Sequence, residues 1–167
     1  MRFSSRVVSL AALMVACVGC DQATKSLAEQ HLAGRPPVLL LGGSLRLLYA
    51  ENTGAFLSLG SGLPEAARMW IFVVITGAVL GLLLFYGLTH KDTMRPWEVI
   101  ALALVVGGGI GNLIDRISLG LVRDFLFLGV GWLRTGVFNV ADMAITCGAV
   151  LMLAGLWRGR RAEPPRA

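Results

Sequence analysis

The sequence predicts an all-α polytopic membrane protein: four transmembrane helices with a small, partly β region outside the bilayer. Three observations predict it. Of 167 residues, 56% are hydrophobic and 15% charged, with a mean hydropathy of +0.72, whereas a soluble domain carries about 25% charge. Four runs approach the roughly 20 apolar residues that a bilayer-spanning helix needs. The excess of basic residues falls on one side of those four runs, as the positive-inside rule requires. A single membrane-embedded domain over residues 1–167 is expected.

The first span is placed at 7–31. Its apolar part, Val7–Cys20, covers about 21 Å at ~1.5 Å per residue. The helix is therefore expected to continue through "DQATKSLAEQHL", a run of good helix formers. Asp21 then lies near the membrane boundary, with Lys25 one turn beyond it. The opening "RFSSR", the apolar run and "CVGC" also look like a lipoprotein signal peptide. However, Cys17 stands where such signals carry Leu, and three more spans follow, so an uncleaved span is the expectation. The loop 33–68 contains "SLRLLYAENTGAFLSLG", β-type residues broken by Asn-Thr-Gly, which predicts a short strand pair. "LPEAAR" then reads as the first turn of the next helix. The second and third spans are placed at 69–88 and 97–117. Residues 118–136 connect to the fourth span, 137–157, and 158–167 form a disordered tail. Trp70, Trp97, Trp132 and Trp157 fall near span ends, as an aromatic belt does.

Four spans put both termini on one side. That side collects Arg2, Arg6, Lys91, Arg95, Arg158, Arg160, Arg161 and Arg166 against Asp92, Glu98 and Glu163. It carries the whole net charge of +5 and is assigned to the cytoplasm. This accounts for the basic balance without nucleic acid. The three Cys residues, Cys17, Cys20 and Cys147, form neither a disulfide framework nor a zinc pattern. Cys147 is read as a small apolar core residue.

Ionisable residues inside spans cost at least ~2.5 kcal/mol each and are functional candidates by default. Asn112, Asp115 and Arg116 are spaced i, i+3, i+4 on the third span, and Asn139 and Asp142 i, i+3 on the fourth, so each set is expected on one helix face. The preceding "GGGIG" has no strand before it and no lysine after it, so it is helix packing rather than a phosphate loop. Asp115–Arg116 and Arg123–Asp124 are candidate ion pairs, with Arg123 a bystander facing solvent or lipid headgroups. His31 and His90 fall on opposite sides of the membrane, so they cannot share a metal ion, and no Ser or Cys motif points to a histidine base. The pair Asp124 and Asp142 remains. Two close carboxylates share a proton, one acting as base and one as acid, which suits attack of water on an amide. Spacing alone does not select this pair. A small proton- or cation-coupled transporter using Asp142, or a non-catalytic scaffold, stands beside it.

Several motifs taken in order resemble the lipoprotein signal peptidase (signal peptidase II) family of bacterial intramembrane aspartic peptidases. They are "DQATK" (Asp21–Lys25), "ENTGAFLSLG" (Glu51–Gly60), "GGGIGNLIDRISLGLVRDF" (Gly107–Phe125) and "FNVAD" (Phe138–Asp142). The resemblance implies removal of the signal peptide from prolipoproteins that carry a diacylglyceryl group, cut just before the lipidated Cys. It implies Asp124 and Asp142 as the catalytic pair. Asp21, Lys25, Asn52, Gly54, Asn112, Arg116 and Asn139 match positions that support the site or bind substrate, and Asp115 reads as support for Arg116. No cofactor and no metal are implied. Partners are the lipidated substrate and membrane lipids, with the chain acting as a monomer. The place implied is the bacterial inner membrane, with the site toward the outer leaflet and the extracytoplasmic region capping the substrate. Val137 and Met143 depart from the family's usual residues around the last box.

Overall fold

The computed structural model describes residues 5–53 and 64–162. In chain order these form helix α1 (Ser5–Leu32), strands β1 (Val38–Leu40) and β2 (Leu45–Asn52), helices α2 (Glu65–Thr89) and α3 (Pro96–Leu119), strands β3 (Val122–Val130) and β4 (Leu133–Phe138), and helix α4 (Val140–Ala162). All four helices are long and apolar enough to cross a membrane. As expected, α1 runs unbroken through "DQATK", and α2 starts directly after Pro64.

Helix α3 is the hub of the bundle. Of its most apolar stretch 56% is buried within the protein, against 11% for each of the other three helices. Leu102, Ala103 and Val106 of α3 form the core with Leu10 of α1 and Met94. Apolar side chains such as Val15, Val74, Phe85 and Leu153 point outward, as lipid-facing side chains do. Lipid supplies no hydrophobic drive between helices, so close packing of small residues must hold them. The glycine run of α3 supplies it on three sides. Gly107 abuts Cys17 of α1, Gly109 abuts Leu80 of α2, and a Cβ on Gly108 would lie 2.5 Å from the Ala141 carbonyl oxygen of α4. The packing reading of "GGGIG" holds.

The β content exceeds the expectation. Four strands form one antiparallel sheet in the order β1-β2-β3-β4. The connection 118–136 is mostly a hairpin, β3–β4, which the sequence reading left without strands. Its turn is Gly131-Trp132, with Gly131 at φ 59°, as the first central position of a type II′ turn requires. The strand pair expected around Asn-Thr-Gly survives in one arm, β2. Its other arm, with Gly54, lies outside the described residues. The fourth span also starts later than the predicted 137, because Val137 and Phe138 belong to β4 and pair with Phe127 and Leu126. Cys147 is exposed rather than in the core.

Candidate active site

Three junctions bring the polar residues together. The first is the end of α3, where Gly120 at φ 76° closes the helix. The chain enters β3 two residues later, so Asp124 lies beside the helix that carries Asn112, Asp115 and Arg116. The second is a bulge in β2. Leu47 pairs with Leu126 but Ala50 pairs with Asp124, so β2 holds one extra residue. A single-residue register shift exchanges the faces of a strand. Asn52 thereby pairs with Val122 and shares a face with Asp124, two residues further along β3. Without the bulge it would point to the other face. Its amide donates to Asp124 Oδ2 at 3.0 Å.

The third junction is the start of α4. Asn139 and Asp142 were expected on one helix face. Instead they form a capping box: Asn139 Oδ1 accepts the Asp142 N–H at 3.0 Å, and Asp142 Oδ2 accepts the Asn139 N–H at 3.1 Å. Asp142 therefore lies in the first turn of α4, at its positive end. Asp21 reaches across from α1 and accepts the Ala141 N–H at 2.9 Å. Gly111 makes room for this, since a Cβ there would stand 2.5 Å from Asp21 Oδ2.

Around these junctions Lys25, fully buried, bridges Asp21 Oδ2 at 2.8 Å and Asp115 Oδ2 at 3.3 Å, both of them fully buried too. It also donates to Asn112 Oδ1 at 2.9 Å. Asn112 then passes the linkage on. Its Oδ1 accepts from Asn139 Nδ2 at 3.1 Å, and its Nδ2 donates to Asp142 Oδ1 at 2.8 Å. Asn139 Nδ2 also donates to Asp124 Oδ1 at 2.7 Å. Asp124 and Asp142 are thus joined through two neutral amides. Burial pushes the Asp124 carboxyl up to about 6, and the charge of Asp142 adds to the rise. The N–H donors of Asn52 and Asn139 and the Lys25 ammonium oppose it.

Two expectations are corrected here. Asp115 does not pair with Arg116; it spends both oxygens on Lys25, Gln22 and Arg123. Nor does Arg123 pair with Asp124 or stand by. It donates to Asp115, to Gln22 and to Glu29. Sequence reasoning missed Gln22 and Glu29, whose only signal is their helical spacing from Lys25 on α1. Arg116 is half-buried, and among the described residues its guanidinium makes no hydrogen bond or ion pair. Its strongest electrostatic partner is Asp142, followed by Asp124. Asn112 and Asn139 are buried with their amides engaged. Met143 is exposed directly beside Asp142.

Several known proteins share this arrangement of sequence and fold. Among curated proteins the chain is similar to "Lipoprotein signal peptidase" of Streptococcus pyogenes serotype M1. The two are 36% identical over 145 residues, 87% of this chain and 90% of that one. The protein of the same description from serotype M2 is 35% identical over the same shares. Two solved structures described as bacterial membrane enzymes, determined by the in meso method, superpose closely. The first has a TM-score of 0.82 at 25% identity, covering 96% of this chain and 94% of the other. The second has a TM-score of 0.77 at 26% identity, covering 90% and 93%. None of these likenesses supports the transporter reading. A family model, "Signal peptidase (SPase) II", matches residues 13–158 and so takes in all three junctions, the Lys25 bridge and both carboxylates: the chain belongs to the signal peptidase II family of peptidases.

Proposed function

We propose that this chain removes the signal peptide from diacylglyceryl-modified prolipoproteins, hydrolysing the bond just before the lipidated Cys with Asp124 and Asp142 as the water-activating pair. The observation that carries the assignment is the amide bridge. Two carboxylates from different elements are held together by Asn112 and Asn139, with no cation bonded to either among the described residues. Asp142 lies in the first turn of α4, at the positive end of the helix, and serves as the base. Asp124, whose site favours the proton, holds the acid.

Asp142 takes a proton from water as the water oxygen attacks the scissile carbonyl carbon. Asp124 gives its proton to the carbonyl oxygen, and a tetrahedral diol forms. As the C–N bond breaks, the proton on Asp142 passes to the leaving amine, and a diol proton returns to Asp124 as the new carboxyl forms. Water and two carboxylates suffice, so the reaction needs no metal or cofactor. Arg116, whose guanidinium makes no hydrogen bond among the described residues, hydrogen-bonds the substrate backbone. Asp21, Lys25, Asp115, Asn112 and Asn139 support the pair. Asn52, at the end of β2, and Gly54 complete the substrate-binding residues.

The basic termini belong in the cytoplasm, which puts the sheet and the pair at the outer leaflet of the inner membrane. The lipid tails then stay in the bilayer while the peptide meets water. The chain acts as a monomer and a single domain. The test is cleavage of a lipidated prolipoprotein by purified Asp124→Asn and Asp142→Asn variants. Both should lose turnover while remaining folded. Near-wild-type turnover by either would remove it from the pair.

A further inference from the structure

We propose that Arg123 is a positioning residue for the hydrolytic pair: it fixes strand β3 to α1 and α3 so that its neighbour Asp124 is held toward Asp142. The proposal rests on the reading of Asp124 and Asp142 as that pair.

Five atoms of Arg123 are engaged. Nη1 donates to Glu29 Oε2 at 3.0 Å, and Nη2 donates to Gln22 Oε1 at 3.0 Å and Asp115 Oδ1 at 2.8 Å. Nε donates to Asp115 Oδ2 at 3.3 Å, and the backbone N–H to the same oxygen at 3.0 Å. The backbone carbonyl accepts from Asn139 Nδ2 at 3.3 Å. The side chain is only 12% exposed.

The geometry explains what these bonds do. Successive side chains on a strand point to opposite faces, so Arg123 and Asp124 grip the strand from its two sides. A rotation of β3 about its axis would swing Asp124 away from Asn139. Arg123, tied to two helices, resists that rotation. A second route reaches Asp142. Asp115 is shared between Arg123 and Lys25, and Lys25 holds Asn112, whose amide holds Asp142. With the Arg123 guanidinium gone, Asp115 keeps Gln22 and the residue-123 N–H but Lys25 as its one cation among the described residues, and Lys25 is drawn from Asn112. A lysine cannot replace the fork, because one ammonium cannot reach Asp115, Gln22 and Glu29 together.

The experiment uses the full chain in liposomes with a lipidated prolipoprotein, assayed well below each variant's unfolding midpoint. In Arg123→Gln, kcat should fall roughly 10- to 100-fold while KM stays within about twofold, since a misplacement of about 1 Å costs on the order of 100-fold. Arg123→Lys, keeping the Asp115 contact, should recover at least about threefold of that loss. A purely structural role predicts instead that the loss disappears once rates are normalised to folded protein. That outcome, a kcat within about twofold of wild type, or an effect on KM alone overturns the proposal. If Arg123→Gln does not fold, Arg123→Lys decides: a kcat lowered more than about threefold at unchanged KM supports positioning, and an unchanged kcat refutes it. Asp124→Asn and Asp142→Asn are run in parallel. Turnover in either defeats the pair assignment itself, whereas two inactive Asp variants beside a fully active Arg123→Gln defeat only the role of Arg123.

Discussion

Replacing Asn52 by Ala should move the pH profile of the enzyme upward. Asn52 donates a hydrogen bond to Asp124 Oδ2 at 3.0 Å, and such a bond favours the ionised carboxylate. A hydrogen bond to a charged group contributes about 1.5–3 kcal/mol. Asn52 is exposed, and solvent screens an exposed contact to roughly half or less of that. About 1 kcal/mol remains, and ~1.36 kcal/mol corresponds to one pKa unit. Loss of the bond should therefore raise the Asp124 carboxyl above about 6 by roughly 0.7 unit. In the proposed mechanism Asp124 works protonated, so the alkaline limb of kcat/KM follows the pair's upper titration and shifts up by a similar amount. The assay is cleavage of a lipidated prolipoprotein from about pH 4 to 9 by wild type and Asn52→Ala, both checked for folding. A limb that stays put or moves down would show that Asn52 does not act on the charge of Asp124.

Gly111→Ala puts a methyl where Asp21 Oδ2 stands, 2.5 Å away, and should cost about 1–3 kcal/mol, read as a lowered unfolding midpoint. Lys25→Met takes the cation from Asp21, 0% exposed, and leaves the equally buried Asp115 with Arg123. It should destabilise by about 3–5 kcal/mol, with Asp21→Asn in the same chain restoring part of the loss in denaturant melts. The Asp124 carboxyl is raised from 3.8 to about 6, so the folded state binds the proton more tightly than the unfolded chain. Stability from this group is fully present below about 4 and declines as pH rises to about 6, by at most about 3 kcal/mol. Asp124→Asn should flatten that part of the stability–pH curve.

The four helices were legible because long apolar runs in a bilayer leave the chain few alternatives. The hairpin β3–β4 was not. In "LVRDFLFLGVGWLRTGVF" the apolar residues run together instead of alternating, so the period-2 signal is absent, and "GW" is a weaker turn signature than Asn-Gly. That one omission caused several errors. Val137 and Phe138 were taken into the fourth span because they are apolar, although apolar strand residues serve β4 equally well. Arg123 and Asp124 were offered as an ion pair, yet adjacent strand residues face opposite ways. The Asp115–Arg116 pair was open to the same objection from the sequence alone, since adjacent helical residues do not face each other. Asn112 and Asn139 stand out because polar groups within spans are costly, whereas Asp21 and Lys25, expected at the membrane boundary, enter the site through the resemblance of "DQATK". The bulge that turns Asn52 toward Asp124 was not legible, because it depends on the register of two distant strands.

The ionisable groups of the network around Asn112 and Asn139 fall into two sets with different chemistry. In the first, Asp21, Asp115 and Glu29 are matched against Lys25 and Arg123 at 2.8–3.3 Å. Those carboxylates are bonded directly to cations, which fixes their positions. In the second, the partners of Asp124 and Asp142 among the described residues are N–H donors from Asn52, Asn112, Asn139 and the α4 cap. The difference suits the proposed task. An arginine or lysine bonded to either carboxylate would favour its ionised form strongly, and two carboxylates both kept charged could not share the proton that acid–base hydrolysis needs. A neutral amide fixes position at a much smaller electrostatic cost to the protonated state. The buried cations of the first set sit one residue further out, holding the asparagines and the strand rather than the pair. Arg116, whose guanidinium makes no hydrogen bond or ion pair among the described residues, has its charge near both carboxylates, where in the proposed reaction it meets a peptide carbonyl without pinning either acid.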